Sequence, residues 1–122
     1  MPKKLFKICS ILTIGIIIGF IVGLLFPRSN SYVQVTLKNI SDQDITDVRL
    51  VHEHGICLVE NLKRDQSSTI KFIAGGETSY TLYVKFQDGR VINIDDRYAE
   101  SGYKITETIG NQEIKPDFEV SY

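Results

Sequence analysis

Residues 8–26, "ICSILTIGIIIGFIVGLLF", run for 19 positions without a charged side chain. Coiled as an α-helix, such a run is about 28 Å long, close to the hydrocarbon thickness of a bilayer. A helix that is apolar on every face has no solvated side, so it cannot lie on the surface of a small soluble domain. The run therefore predicts a transmembrane helix over 8–26. A mean hydropathy of −0.04 conceals this, because the remainder of the chain is polar.

What flanks the run sets its orientation and fate. Lys3, Lys4 and Lys7 precede it, and Arg28 follows it. A secretory signal shares the basic start, but it has a shorter apolar core and ends in small residues. Here Leu25 and Phe26 occupy that end, and Cys9 stands at the beginning of the run, where no lipid-bearing cysteine belongs. The expectation is an uncleaved signal-anchor. Basic flanks stay in the cytoplasm. That order gives a cytoplasmic tail at 1–7, a linker at 27–31 and an exported domain at 32–122, in the manner of a single-pass bacterial inner-membrane protein with a periplasmic or extracellular C-terminal domain. Five linker residues reach at most about 17 Å, which would hold the domain at the membrane face. Were the chain exported in a eukaryote, "NIS" at Asn39 would form a glycosylation acceptor.

Within the run, Gly15, Gly19 and Gly23 recur every four residues. Four residues turn a helix by about 400°, so the three glycines line one slowly drifting groove. A second helix can approach such a groove closely, and close packing is what holds helices together in lipid. The glycine face thus predicts association with a second copy or with a protein partner. Glycine is also simply frequent in membrane helices.

Beyond the run the charge changes sign. Residues 29–122 carry 10 Lys/Arg and 15 Asp/Glu, a net of −5. An acidic domain is a poor match for nucleic acid. No block of like charge occurs, so solubility accounts for the balance.

The same region alternates apolar and polar residues with period two. "YVQVTLK" places Val33, Val35 and Leu37 on one face, and "SYTLYVKF" places Leu82, Val84 and Phe86 on one face with Thr81, Tyr83 and Lys85 on the other. Further runs cover 45–53, 56–60, 67–73, 91–95 and 103–109, and the tail holds a short strand broken at Pro116. Asp88-Gly89 predicts a two-residue hairpin with positive φ at both positions, and 96–102 is expected to be a loop. Seven or eight short strands without a helical period predict an all-β fold: a small antiparallel β-sandwich of immunoglobulin- or fibronectin-like architecture. Only the architecture is expected, since Cys57 is the one cysteine beyond the apolar run and there is no Trp.

Chemistry is sparse. "LVHEHGIC" holds both histidines and a cysteine. On a strand, His52 and His54 would face one side, as two metal ligands could. Zinc or copper needs a third or fourth ligand, and Cys57 lies beyond Gly55 in a direction the sequence leaves open. A half-exposed strand end explains the pair more simply, so no metal or cofactor is expected. No nucleophile frame of the G-x-S-x-G kind appears, and Cys57 sits in an apolar strand where burial makes a thiol inert. Asp95, Asp96 and Glu100 lack calcium-loop spacing. Exposed tyrosines are effective contact residues, which singles out Tyr83, Tyr98 and Tyr103. The expectation is therefore a membrane-anchored protein-interaction module and not an enzyme: a component of an envelope complex, or an immunity or exclusion protein. A periplasmic metal binder using His52 and His54 is the alternative.

Overall fold

The structure is a computed structural model that describes residues 2–25 and 31–120, with side chains along the helix described from Thr13 onward. α1 (Pro2–Leu25) contains most of the apolar run. Its described side chains, 13–25, are all exposed. Among the described residues no helix is long and apolar enough to cross a membrane. The expected span 8–26 begins and ends outside the residues with described side chains. So do the lysines of the tail 1–7 and the linker residues 27–30.

Eight strands follow: β1 (Tyr32–Asn39), β2 (Ile45–His52), β3 (Gly55–Leu62), β4 (Ser67–Ile73), β5 (Glu77–Phe86), β6 (Val91–Glu100), β7 (Tyr103–Ile109) and β8 (Ile114–Val120). They form two four-stranded sheets, β4-β1-β7-β8 and β3-β2-β5-β6. The period-two pattern makes the core. Val33, Val35 and Leu37 of one sheet and Leu82, Val84 and Phe86 of the other are all fully buried. Each such side chain contributes about 1.5–3 kcal/mol through the apolar surface it removes from water. The two inner faces form a single hydrophobic cluster, so the all-β sandwich is the observed fold.

Its topology departs from the expectation in two ways. β1 pairs with β7 in parallel, while every other pairing is antiparallel. In an immunoglobulin constant domain the first two strands share a sheet; here β1 and β2 lie in opposite sheets. The two strands are joined across the sandwich by the turn at 40–44, which is held from inside. Asn39 is fully buried. Its side-chain amide donates to the Gln43 and Leu62 carbonyls at 3.0 and 3.1 Å, and its Oδ1 accepts from the Ser41 hydroxyl at 2.6 Å. Every polar atom of this side chain is used, so Asn39 cannot serve as a glycan acceptor in the folded domain.

Three local expectations also change. Four residues separate β5 from β6, and the loop proper is the three residues 87–89 inside the Phe86/Arg90 pair, with the Phe86 N–H donating to the Arg90 carbonyl at 2.9 Å and the Gly89 N–H to the Phe86 carbonyl at 3.0 Å. Only Gly89, at φ 89°, has positive φ there; Asp88 does not. Pro116 does not break the last strand. β8 is an edge strand, and at an edge the missing N–H of proline costs no ladder bond. The expected loop 96–102 is strand as far as Glu100. β6 carries one extra residue there: Asp95 and Asp96 lie opposite Thr81 alone, and Asp96 takes φ 49°. That bulge reverses the parity of everything after it.

Candidate functional site

The bulge aims Arg97 into the sandwich. Ile92 and Ile94 pack against the core before it, and the inward positions resume after it at Arg97 and Ala99, the latter fully buried. Across the gap stands Glu107 of β7, completely buried between Ile105 and Ile109. Arg97 Nε donates to Glu107 Oε1 at 2.8 Å and Nη2 donates to Oε2 at 3.3 Å. The Tyr80 hydroxyl, from β5, donates to the same Oε1 at 2.7 Å. A bidentate guanidinium and a phenol thus satisfy a carboxylate that would otherwise be prohibitively costly to bury. Burial first, and then the Glu107 charge, push the Tyr80 hydroxyl well above the usual phenol range, so it remains a donor. This triad joins β5 and β6 of one sheet to β7 of the other. It was missed in the sequence, although "ITETI" places a glutamate at the core parity of β7.

The histidines do not converge. β2 ends at His52, and Glu53 and His54 form the turn to β3, with His52 paired to Gly55. Strand parity therefore stops before His54, whose exposed ring lies 3.9 Å from the Glu53 carboxylate. His52 turns inward and stacks on Phe72 of the other sheet, with ring centroids 4.5 Å apart and planes at 19°. Its Nδ1 accepts the His54 backbone N–H at 3.3 Å, and its Nε2 lies 3.9 Å from the Cys57 Sγ. Burial, and secondarily the neighbouring His54, depress the pKa of His52. Among the described residues no group of three or more His, Cys, Asp or Glu side chains is placed to hold a metal ion.

The three tyrosines separate into two places. Tyr83 lies on the outer face of its sheet, between Arg49 and Asn93 on the neighbouring strands. Tyr98 and Tyr103 come together, with centroids 6.3 Å apart in an edge-to-face arrangement, and Tyr103 meets Phe118 in the same way at 6.4 Å. The strand orders bring this about. β3 packs near β4 on one side of the sandwich, which leaves the edge strands β6 and β8 on the other, with β7 adjoining. Tyr98 and Phe118 remain nearly half exposed, at 47% and 46%. Phe118 was not singled out from the sequence because "FEVSY" carries no distinguishing pattern. Beside Tyr98 a shallow depression is lined by His52, Glu53, Glu77 and Tyr80 among others. The Tyr98 hydroxyl donates to Glu77 Oε1 at 3.4 Å, and the nearby Glu100 carboxylate, with burial and the charge of Glu77 adding to it, raises the Tyr98 phenol above its ordinary range.

On the helix, Gly15, Gly19 and Gly23 are exposed, and a Cβ added to any of them would meet no atom within 4 Å. The groove is open in the single chain.

No family model matches this chain, and no curated protein matches it. A solved structure does resemble it: an NMR structure of a protein from Eubacterium rectale, with a TM-score of 0.55 at 10% identity, covering 75% of this chain and 91% of that one. At that identity the likeness is one of fold alone.

Proposed function

We propose that this chain is a single-pass membrane protein whose exported β-sandwich works by contact with another protein at the membrane surface, as a component of an envelope complex or as an immunity or exclusion factor. The membrane reading is supported by the uncharged run 8–26, the lysines before it and the exposed apolar face of α1, where Ile14, Ile16, Phe20 and Leu24 are each more than half exposed. Surface of that kind requires lipid or another helix to cover it. The N-terminus is then cytoplasmic and the sandwich is periplasmic or extracellular.

The observation that carries the contact reading is the aromatic ridge of Tyr98, Tyr103 and Phe118 along the β6/β8 side. Rigid aromatic side chains that are half exposed and already packed on one another lose little entropy on binding, and such residues dominate interface energies. Glu77 and Glu100 beside Tyr98 favour a partner presenting positive charge.

A photo-activatable cross-linker at position 98 or 118 tests this in membranes. A discrete adduct from both positions, absent when the cross-linker stands at Thr36 on the outer face of the sheet β4-β1-β7-β8, away from the ridge, is the expected result. The same adducts from all three positions, or none from 98 and 118, would reject the ridge as a contact surface. A reporter fused after Tyr122 tests the topology separately, since activity in the cytoplasm contradicts it. Gly19→Ile tests helix association: it should weaken association of labelled copies or of the complex by about 1 kcal/mol, whereas Ile18→Leu should not.

A further inference from the structure

The outer face of the sheet β4-β1-β7-β8 holds a second cavity, of about 370 Å³, lined by Tyr32, Gln34, Lys71, Tyr103 and Lys104. Gln34 is the register partner of Lys71 on one side and of Lys104 on the other. The two lysines therefore stand in one row across three strands, about 10 Å apart at the backbone, with a side-chain amide between them. Long ammonium side chains at that separation can close on one small anion from both sides. No carboxylate lines the cavity, although residues 29–122 carry five more acidic than basic groups. The nearest acid in the row is Glu119 of β8, the register partner of Lys104. Tyr32 borders the cavity from the start of β1 and Tyr103 borders it at one end, and the volume falls within the range of small-molecule sites.

We infer that this cavity binds a phosphate group, borne either by a small soluble compound or by a lipid head group, with Lys71 and Lys104 as the charged donors and Gln34 as the neutral one. Each lysine supplies a charge-assisted contact to a phosphate oxygen. Glu119 competes with the ligand for Lys104 and weakens the site. Tyr32 opens β1, the first strand after the apolar helix, which places the cavity at the end of the domain where the chain arrives. The cavity shares Tyr103 with the aromatic ridge, but its donors Gln34, Lys71 and Lys104 lie outside the ridge, and the proposal does not depend on the ridge's partner.

The test uses isotope-labelled full-length chain in a non-ionic detergent, titrated with inorganic phosphate or glycerol 3-phosphate. A parallel arm titrates the same sample with micelles or vesicles containing phosphatidylglycerol against phosphatidylcholine. The expected result is saturable movement of the Gln34, Lys71 and Lys104 amide resonances. Response to the soluble phosphates identifies a soluble ligand, and response to phosphatidylglycerol alone identifies a head group. Lys71→Gln with Lys104→Gln should weaken binding at least roughly tenfold, while Glu119→Gln should tighten it about twofold or more by relieving Lys104. Lys38→Gln with Lys115→Gln removes the same charge elsewhere on that face and should leave binding unchanged. Absence of response in both arms overturns the site. So does an equal loss in the two double variants, which would mean diffuse attraction to a basic face.

Discussion

Two polar clusters sit at the seam between the sheets, and they differ in nearly every respect. His52 and Cys57 lie five residues apart, in one hairpin, and approach no closer than 3.9 Å. Tyr80, Arg97 and Glu107 come from three strands in two sheets and make three hydrogen bonds of 2.7 to 3.3 Å. The first cluster is conspicuous in the sequence and holds little; its principal contact is the stacking of His52 on Phe72. The second is invisible as a motif and ties the sandwich together. Closeness along the chain measures neither burial nor the quality of a polar contact. A charge inside a sandwich survives only if strands remote in sequence bring it partners.

The comparison is most severely tested by removing one member of the buried pair. Arg97→Ala leaves the Glu107 carboxylate fully buried and without its counter-ion. The expected loss is about 3–5 kcal/mol, a fall in melting temperature of well over 10 °C for a domain of this size. Replacing both, Arg97→Met with Glu107→Leu, should restore most of that stability, because a packed apolar pair needs no counter-charge. Were Arg97→Ala as stable as wild type, the triad would not be the clasp described here. Tyr80→Phe removes one donor and leaves the ion pair, so a loss of about 1.5–3 kcal/mol should be measured by denaturant unfolding.

Changes to the histidine cluster should be smaller. His52→Ala deletes a ring stacked on Phe72 and should cost about 1 kcal/mol. Its pH dependence follows from its depressed pKa. The unfolded chain binds a proton near the ordinary histidine value, and the folded chain binds it only at lower pH. Stability associated with neutral His52 is therefore complete above pH ~6.5 and is lost as the pH falls through the folded value. Melting curves at pH 7.5 and 5.5 should show a larger decline for wild type than for His52→Gln, and equal declines would refute the assignment. The smallest effect is reserved for metal. Zinc or copper titrated calorimetrically should give no sub-micromolar stoichiometric binding, since His54 is turned out of the pair. Tight binding abolished by His52→Ala would restore the metal reading and reverse the comparison.

The fold was legible wherever burial is periodic. Val33, Val35, Leu37, Ile70, Phe72, Leu82, Val84 and Phe86 all occupy the inward positions that alternation assigns them, because a pleated strand with one buried face leaves no other choice. The pattern failed wherever a strand departs from strict alternation or ends. His54 lost its parity at a turn. Arg97 acquired an inward one through a bulge that no local residue announces. Tyr98 and Tyr103, named from the sequence as contact residues, proved to be neighbours, but their company with Phe118 depends on which strands became edges.

The sequence by itself determined the apolar segment, the all-β character of the domain and the side chains of its core, since each follows from local periodicity and transfer of apolar surface. Tertiary structure alone decided the strand order, with β1 parallel to β7, and through it the meeting of Arg97 with Glu107 and of Lys71 with Lys104 about Gln34. These depend on pairing between strands distant in the chain, and such pairing is selected by the collective packing of two faces rather than by any residue's preference.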